Sequence, residues 1–336
     1  MSKNPDDLKL AIEAHLALAT GAPVTVRALE PLGGGACQDN YRVDVTFTAG
    51  DLAGDRALVL RSDAVRSLPG SIDRKDEFAV ISAAVAAGVT TPTARFLARD
   101  LVRPGAHAYF LDWADGTAIG RRVLRDADLA DARRGLAGRL AVELAKIHSI
   151  TPATSAVPLA PAVPDFLAFT RGMVETMREP RPALFLALQW LEQSPMERSE
   201  VTLVHGDFRT GNFLVTPHGL TAILDWEFAH WGPPMWDIAW ITMRNWRFGQ
   251  NKLPVGGFAR REEFYEVYEQ HSGRTVSRKD VHYCEVLANV RWAAGCSHQG
   301  ERYLSGQESD LELIAIPRRG VEMEFEALRL IEKGAP

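Results

Sequence analysis

Apolar residues along this chain repeat with two different periods, and the change from one to the other divides it. Residues 5–19 (PDDLKLAIEAHLALA) set their apolar positions at helical spacing behind an acidic first turn, which predicts an amphipathic helix. Short β-like runs follow: VTVRALEPL (24–32), YRVDVTFTA (41–49) and RALVLRS (56–62). Gly33-Gly34-Gly35 separates the first two runs, and AGDLAGD (49–55) reads as a hairpin connection between the next two. Residues 73–88 predict a helix that stops at Gly88, and PTARFLARD and HAYFLDWADG predict two further strands.

From Asp126 to Ser149 the period becomes helical. A proline-rich connector occupies 151–164, and helices continue through Trp190. Near the C-terminus EEFYEVYEQHSG, DVHYCEVLANVRWAAGCSHQGERYLSG and VEMEFEALRLIEKG are again helical. There is no internal repeat. The pattern predicts an α+β chain of two lobes: a small β-rich N-terminal lobe (residues 1–115) and a larger, mostly helical C-terminal lobe (116–336), joined near 110–117.

One stretch breaks the apolar rule. In LVHGDFRTGNFLVTPHGLTAILDWE (203–227), Asp207 and Asp225 interrupt strand-like runs, with His205 and Asn212 close by. Asn212–Val215 and Leu220–Trp226 read as two strands about a turn at Pro217–His218. Such a hairpin sets Asn212 roughly opposite Ile223 and Asp225 opposite Thr210, so both side chains emerge at its open end. Asp207 lies on the loop that feeds that end. Converging carboxylates repel unless compensated, and an oxygen-only Asp/Asn set suits Mg²⁺. Asp207 is then left to accept a proton from an attacking hydroxyl, the division of labour that phosphoryl transfer requires.

These residues carry a resemblance. H-G-D-x-x-x-x-N-x-L followed by L-D-W-E is similar to the catalytic signature of the aminoglycoside phosphotransferase and choline kinase superfamily, which has a protein-kinase-like fold. The resemblance implies a catalytic base at Asp207, Mg²⁺ ligands at Asn212 and Asp225, a loop brace at His205, and a helix acid at Asp237 that anchors the loop backbone. Its cofactors are Mg²⁺ and ATP or GTP. On the nucleotide side, Gly33, Gly34 and Gly35 would let backbone N–H groups approach phosphates. Arg61 stands where kinases carry a phosphate-binding lysine, with Glu77 on the next helix as its natural partner. The backbone of Leu111, Asp112 and Trp113 would read the adenine edge. LVLRS, DWADGTAIGRR and NVRWAAGCSHQGERYLSG resemble the kinase region of acyl-CoA dehydrogenase-type fusion proteins. Some members of that branch phosphorylate hydroxyacyl-CoA.

Composition narrows the partners. Net charge is −5 and the arginine clusters at 121–125 and 133–134 are interspersed with acids, which argues against nucleic acid. Three cysteines without a CxxC pair fit a reducing compartment, and neither a secretory signal nor an apolar run of membrane-spanning length occurs. A cytoplasmic enzyme, monomeric or homodimeric, acting on a nucleoside triphosphate and a small hydroxylated substrate is expected. Trp240, Trp246, Trp292, His298, Gln299 and Arg302 are candidates to meet that substrate, though core packing also explains their spacing. Two rivals remain: a kinase-fold binding protein without turnover, motivated by Arg61 in place of lysine, and a metal-dependent hydrolase, for which the histidines lack the clustering.

Overall fold

Alternation in the early strands sorts their side chains onto two faces of one sheet. In β1 (Val24–Pro31), Val24 and Val26 are buried and Thr25 and Arg27 exposed. β1 pairs antiparallel with β2 (Asp39–Phe47), β2 with β3 (Gly54–Ser62), β3 with β5 (His107–Asp112), and β5 with β4 (Ala94–Arg99). The resulting order is β1-β2-β3-β5-β4. This computed structural model describes residues 3–32, 39–63, 68–159, 166–196, 200–306 and 311–335; Gly33, Gly34, Gly35 and Cys37 lie outside them.

Helix α1 (Pro5–Thr20) starts at Asn4, whose side chain accepts the Asp7 N–H, and ends on Gly21 in the left-handed region. Its Leu8, Ile12 and Leu16 pack with Val43, Val45, Leu58, Leu60 and Phe110 in one apolar cluster. Successive strand residues point to opposite faces, so Arg61 and its register partner Tyr109 face away from that cluster. There Tyr109 meets Phe78 of α2 (Arg74–Ala86) edge-on at 5.9 Å.

The chain forms two compact units. The first comprises residues 1–115 together with 221–229, and the second comprises 116–220 and 230–336. The second opens with α3 (Gly120–Arg125) and α4 (Ala130–His148), followed by α5 (Phe166–Glu175) and α6 (Pro182–Gln193). β6 (Thr202–Val204) pairs antiparallel with β9 (His230–Gly232). β7 (Phe213–Thr216) and β8 (Gly219–Ile223) are the arms of a hairpin about Pro217–His218. Next come α7 (Met235–Thr242), α8 (Arg261–Ser272), the long α9 (Arg278–Leu304), α10 (Glu312–Ala315) and α11 (Gly320–Lys333). α4 packs on α8, while α9 is flanked by α5, α6, α7 and α11. The architecture is a protein-kinase-like pair of lobes, one β-rich and one mostly helical. Among the described residues no helix is long and apolar enough to cross a membrane.

One expectation needs correcting. The strand read over Leu220–Trp226 stops at Ile223, two residues before Asp225, whose φ of 68° turns the chain out of the extended conformation.

Ile12 is fully buried, so Ile12→Ala should cost about 2–5 kcal/mol through lost contacts and a residual cavity. Urea denaturation followed by circular dichroism checks this, and a loss below roughly 0.5 kcal/mol contradicts the packing of α1 described above.

Candidate active site

The second unit builds a loop around one buried acid. Asp237 sits in the first turn of α7, a helix whose every residue is buried. Its Oδ2 accepts the His205 backbone N–H at 2.7 Å and its Oδ1 accepts that of Gly206 at 2.9 Å. His148, at the end of α4, places Nε2 3.3 Å from Asp237 Oδ2 and Nδ1 2.8 Å from the Tyr268 hydroxyl. The carboxylate requires a donor, so Nε2 carries the proton and Nδ1 accepts from the phenol. Burial pushes the Asp237 carboxyl up, but the His148 hydrogen bond and the His205 amide more than offset this and hold it below the ordinary value. Burial lowers the His148 pKa, and Asp237 only partly opposes that, so the ring stays neutral.

The anchored backbone then turns. Gly206 has a φ of 82°, open to glycine at little cost, and the next residue is Asp207. The Asp207 N–H donates to His205 Nδ1 at 3.3 Å. The Asp207 carboxylate is well held. Oδ1 accepts from Arg209 Nε at 2.8 Å and from Trp240 Nε1 at 2.7 Å; Oδ2 accepts from Asn212 Nδ2 at 2.7 Å. Asn212 Nδ2 also donates to the Asp207 carbonyl at 2.9 Å, which leaves its own Oδ1 as the atom to offer a cation. Trp240, Trp246 and Trp292 form one connected ring cluster, with centroids 5.3–6.4 Å apart. The Arg291 guanidinium lies over Phe166 at 4.5 Å, and burial lowers its pKa to about 10 despite the pull of Asp207. His298 and Gln299 have other partners: His298 Nε2 lies 3.0 Å from the Met173 carbonyl, and Gln299 Oε1 accepts from Arg302.

The first unit gathers charge of both signs. Arg61 Nη2 lies 3.1 Å from Glu77 Oε1 and 3.2 Å from Asp225 Oδ1. Arg74, at the start of α2, pairs with Glu77 and, through Nη2, with Glu227 at 3.0 Å. Burial alone would lower the Arg61 pKa, but Glu77, with Asp225 and Glu227, reverses that and raises it. Burial and the Asp225 charge raise the Glu227 carboxyl to about 7 against the pull of both arginines. Segment 221–229 is fastened here by its backbone: Ile223 N–H donates to the Thr90 carbonyl and the Glu227 carbonyl accepts from Ile72 N–H, each at 2.8 Å. Between these ties sits the left-handed Asp225, a strained residue of the sort that marks functional segments.

The adenine-reading expectation fares differently. Asp112 N–H donates to the Thr93 carbonyl at 3.1 Å and Trp113 N–H to that of Ala57 at 3.2 Å, while Leu111 is paired within the sheet. The sheet therefore uses the Asp112 and Trp113 N–H groups, two of the backbone N–H and C=O groups expected to read the adenine edge. The Asp112 side chain instead chelates Arg95, and Trp113 lies under Arg42 at 4.6 Å. Among the described residues no three His, Cys, Asp or Glu gather as a metal cage. One carboxylate and one amide carbonyl still suit Mg²⁺, which keeps most of its shell for water and phosphate. Sequence reasoning missed Arg74, His148, Tyr268 and Arg209. Only Arg209 carried a signal, its place inside HGDFRTGN.

His148 gives a pH dependence with a definite sign. Its folded pKa lies below the unfolded value near ~6.5, so the unfolded chain binds the extra proton first. Stability is fully present above that pH and falls as pH drops toward the folded value. Urea midpoints from pH 7.5 to 5 should fall more steeply for the wild type than for His148→Phe; parallel slopes contradict a neutral buried His148. Separately, Arg74→Ala removes the buried cation that bridges Glu77 and Glu227 and should cost about 3–5 kcal/mol by chemical denaturation, whereas a change under about 1 kcal/mol means the pairing is solvent-screened.

With this geometry in place, known proteins give a consistent picture. A profile of the phosphotransferase enzyme family (APH) matches residues 28–274. Mouse acyl-CoA dehydrogenase family member 10 is 27% identical over 201 residues, covering 56% of this chain and 18% of that protein. Family member 11 from Gallus gallus is 26% identical over 283 residues, covering 76% of this chain and 35% of that protein. The chain thus spans between 18% and 35% of the length of these relatives. A Ralstonia eutropha protein classed with the aminoglycoside phosphotransferases superposes with a TM-score of 0.73 at 20% identity, covering 97% of this chain and 99% of that one. Its likeness is one of fold. Because the matched profile takes in both the pinned Asp207 loop and the Arg61–Glu77–Asp225 cluster, the chain belongs to the phosphotransferase enzyme family.

Proposed function

We propose that this enzyme is a Mg²⁺-dependent O-phosphotransferase that moves the γ-phosphoryl group of ATP or GTP to a hydroxyl of a small molecule. The observation that carries this reading is Asp207: an anchored carboxylate with Asn212 bonded to it five residues on. In the reaction the acceptor hydroxyl oxygen bonds to the γ-phosphorus, and its proton passes to Asp207. The bond from that phosphorus to the β–γ bridging oxygen breaks, and the nucleoside diphosphate leaves with the electron pair. The Asn212 carbonyl and the Asp225 carboxylate would hold Mg²⁺, which when bound neutralises phosphate charge. Arg61, fixed by Glu77, is the cation for the nucleotide phosphates, and Gly33–Gly35 would supply backbone N–H groups. His205 and Asp237 keep the Asp207 loop in place.

The acceptor we favour is neutral or anionic, such as a hydroxyacyl-CoA or another hydroxylated metabolite. Arg209 and Arg291 lie about Asp207, with the Trp240–Trp246–Trp292 cluster beside them, and polycationic aminoglycosides are poorly matched to that charge. The reading without turnover draws on one observation, the Arg61–Asp225 pair, which occupies the very carboxylate a cation needs.

A panel of hydroxylated metabolites, hydroxyacyl-CoAs and aminoglycosides, read as nucleoside diphosphate release, tests this. Asp207→Asn should lower kcat by about 10²–10⁴-fold with nucleotide affinity within about twofold of wild type. Asp225→Asn should weaken Mg²⁺-dependent nucleotide binding itself. Full turnover in Asp207→Asn removes it as the base, and wild-type binding with no transfer to any hydroxyl or to water favours the binding protein.

A further inference from the structure

The sequence motif assigns no role to Arg209, yet its side chain is as firmly placed as Asp207. Its Nε points at both carboxylate oxygens of Asp207, 2.8 Å from Oδ1 and 3.1 Å from Oδ2. Its guanidinium carbon stands 4.5 Å from the centroid of the Trp246 ring, a stacked cation–π contact. Nη1 donates to the Thr210 carbonyl at 3.4 Å.

The backbone around it is shaped to leave room. Gly211 has a φ of 117°, and a Cβ there would lie 2.5 Å from Arg209 Nη1, so any side chain at 211 would push the guanidinium away. The buried Thr210 hydroxyl donates to the Gly256 carbonyl at 2.9 Å, which ties the loop to the 255–259 turn. Nε and Nη1 are thereby committed. Nη2 makes no hydrogen bond among the described residues, and the side chain keeps 24% of its surface accessible.

Why would a base be held by a cation? A guanidinium bonded to both carboxylate oxygens fixes the direction in which Asp207 points. A locked guanidinium with one free N–H edge has a second use. A hydroxyl donating to Asp207 places its oxygen about 2.7 Å from the carboxylate, and the phosphorus it attacks lies about 3–3.5 Å beyond. The equatorial oxygens of that phosphoryl group fall within reach of a guanidinium bound to the same carboxylate. Those are the atoms over which charge spreads in the transition state.

We propose that Arg209 is a catalytic residue whose Nη2 edge binds the phosphoryl oxyanion in transfer while its Nε keeps Asp207 aimed. The ligand is a phosphoryl group, and the contact forms in the transition state rather than in the nucleotide ground state. This rests on the phosphotransferase reading above and adds a residue to it.

The test uses the full chain with Mg²⁺, nucleoside diphosphate (ADP and GDP in turn) and aluminium fluoride, a planar mimic of the phosphoryl group in flight. Binding is read by calorimetry and by tryptophan fluorescence. Wild type should bind the diphosphate, and bind it more tightly with aluminium fluoride. Arg209→Ala should bind the diphosphate alone within about twofold of wild type but lose roughly 10- to 100-fold in affinity for the fluoride complex. Arg209→Lys should recover part of that loss, since charge returns without the planar fork. If Arg209→Ala fails to fold, shown by lost diphosphate binding and altered circular dichroism, Arg209→Lys and Arg209→Gln carry the comparison. Unchanged affinity of these variants for the fluoride complex overturns the inference and leaves Arg209 a mere partner of Asp207. So does a wild-type protein that binds diphosphate without any gain from aluminium fluoride; in both cases the nucleotide reading survives. A wild type that binds no Mg²⁺–nucleotide sinks the phosphotransferase reading itself, and this inference with it.

Discussion

A single buried carboxylate, Asp237, sets the geometry of everything around Asp207. Without it the N–H groups of His205 and Gly206 would be buried donors lacking acceptors, each costing on the order of 1–3 kcal/mol. With it, the backbone is pinned at two consecutive amides immediately before the residue that matters. His148 and Tyr268 extend the same chain of hydrogen bonds from α4 and α8 to α7. Three helices thus fix one loop. This is preorganisation in the strict sense: the loop is held before any ligand arrives, so little reorganisation is needed when it does.

Charge in the first unit follows a different logic. Arg61, Arg74, Glu77 and Glu227 are all nearly buried, and desolvation works against the charge of both arginines and of Glu227. Such a cluster is weak evidence for stability, since an apolar replacement of similar shape would often do as well. Its value is in specification. Two forked cations tie α2 and β3 to the 221–229 segment, whose backbone is strained at Asp225. A carboxylate that both pairs with Arg61 and sits at a left-handed residue is held where relaxation alone would not leave it.

Much of this was legible in the chain. Helix and strand positions follow from period and from punctuation: Asn4 and Gly21 bound α1, and Val24 and Val26 alternate with exposed residues. The loop motif named Asp207, Asn212 and Asp237, since a polar residue inside an apolar stretch stands out. Other features were hidden for physical reasons. His148 and Tyr268 lie 89 and 31 residues from Asp237 and resemble ordinary helix residues until tertiary packing brings them to it. Arg74 looks like a surface cation at a helix start, and only the burial of Glu227 reveals it as a bridge. At 111–113, sheet pairing, invisible in a local window, takes up the N–H groups of Asp112 and Trp113. That residues 221–229 join the first unit reflects contacts with residues 72, 90 and 91, more than 130 positions away.

Hydrogen exchange at the His205 and Gly206 amides, compared between the wild type and Asp237→Asn, tests the pinned loop most directly. Both amides should be strongly protected in the wild type and lose that protection in the variant, while β1–β5 keep theirs. Equal protection at 205 and 206 in the two proteins would contradict it.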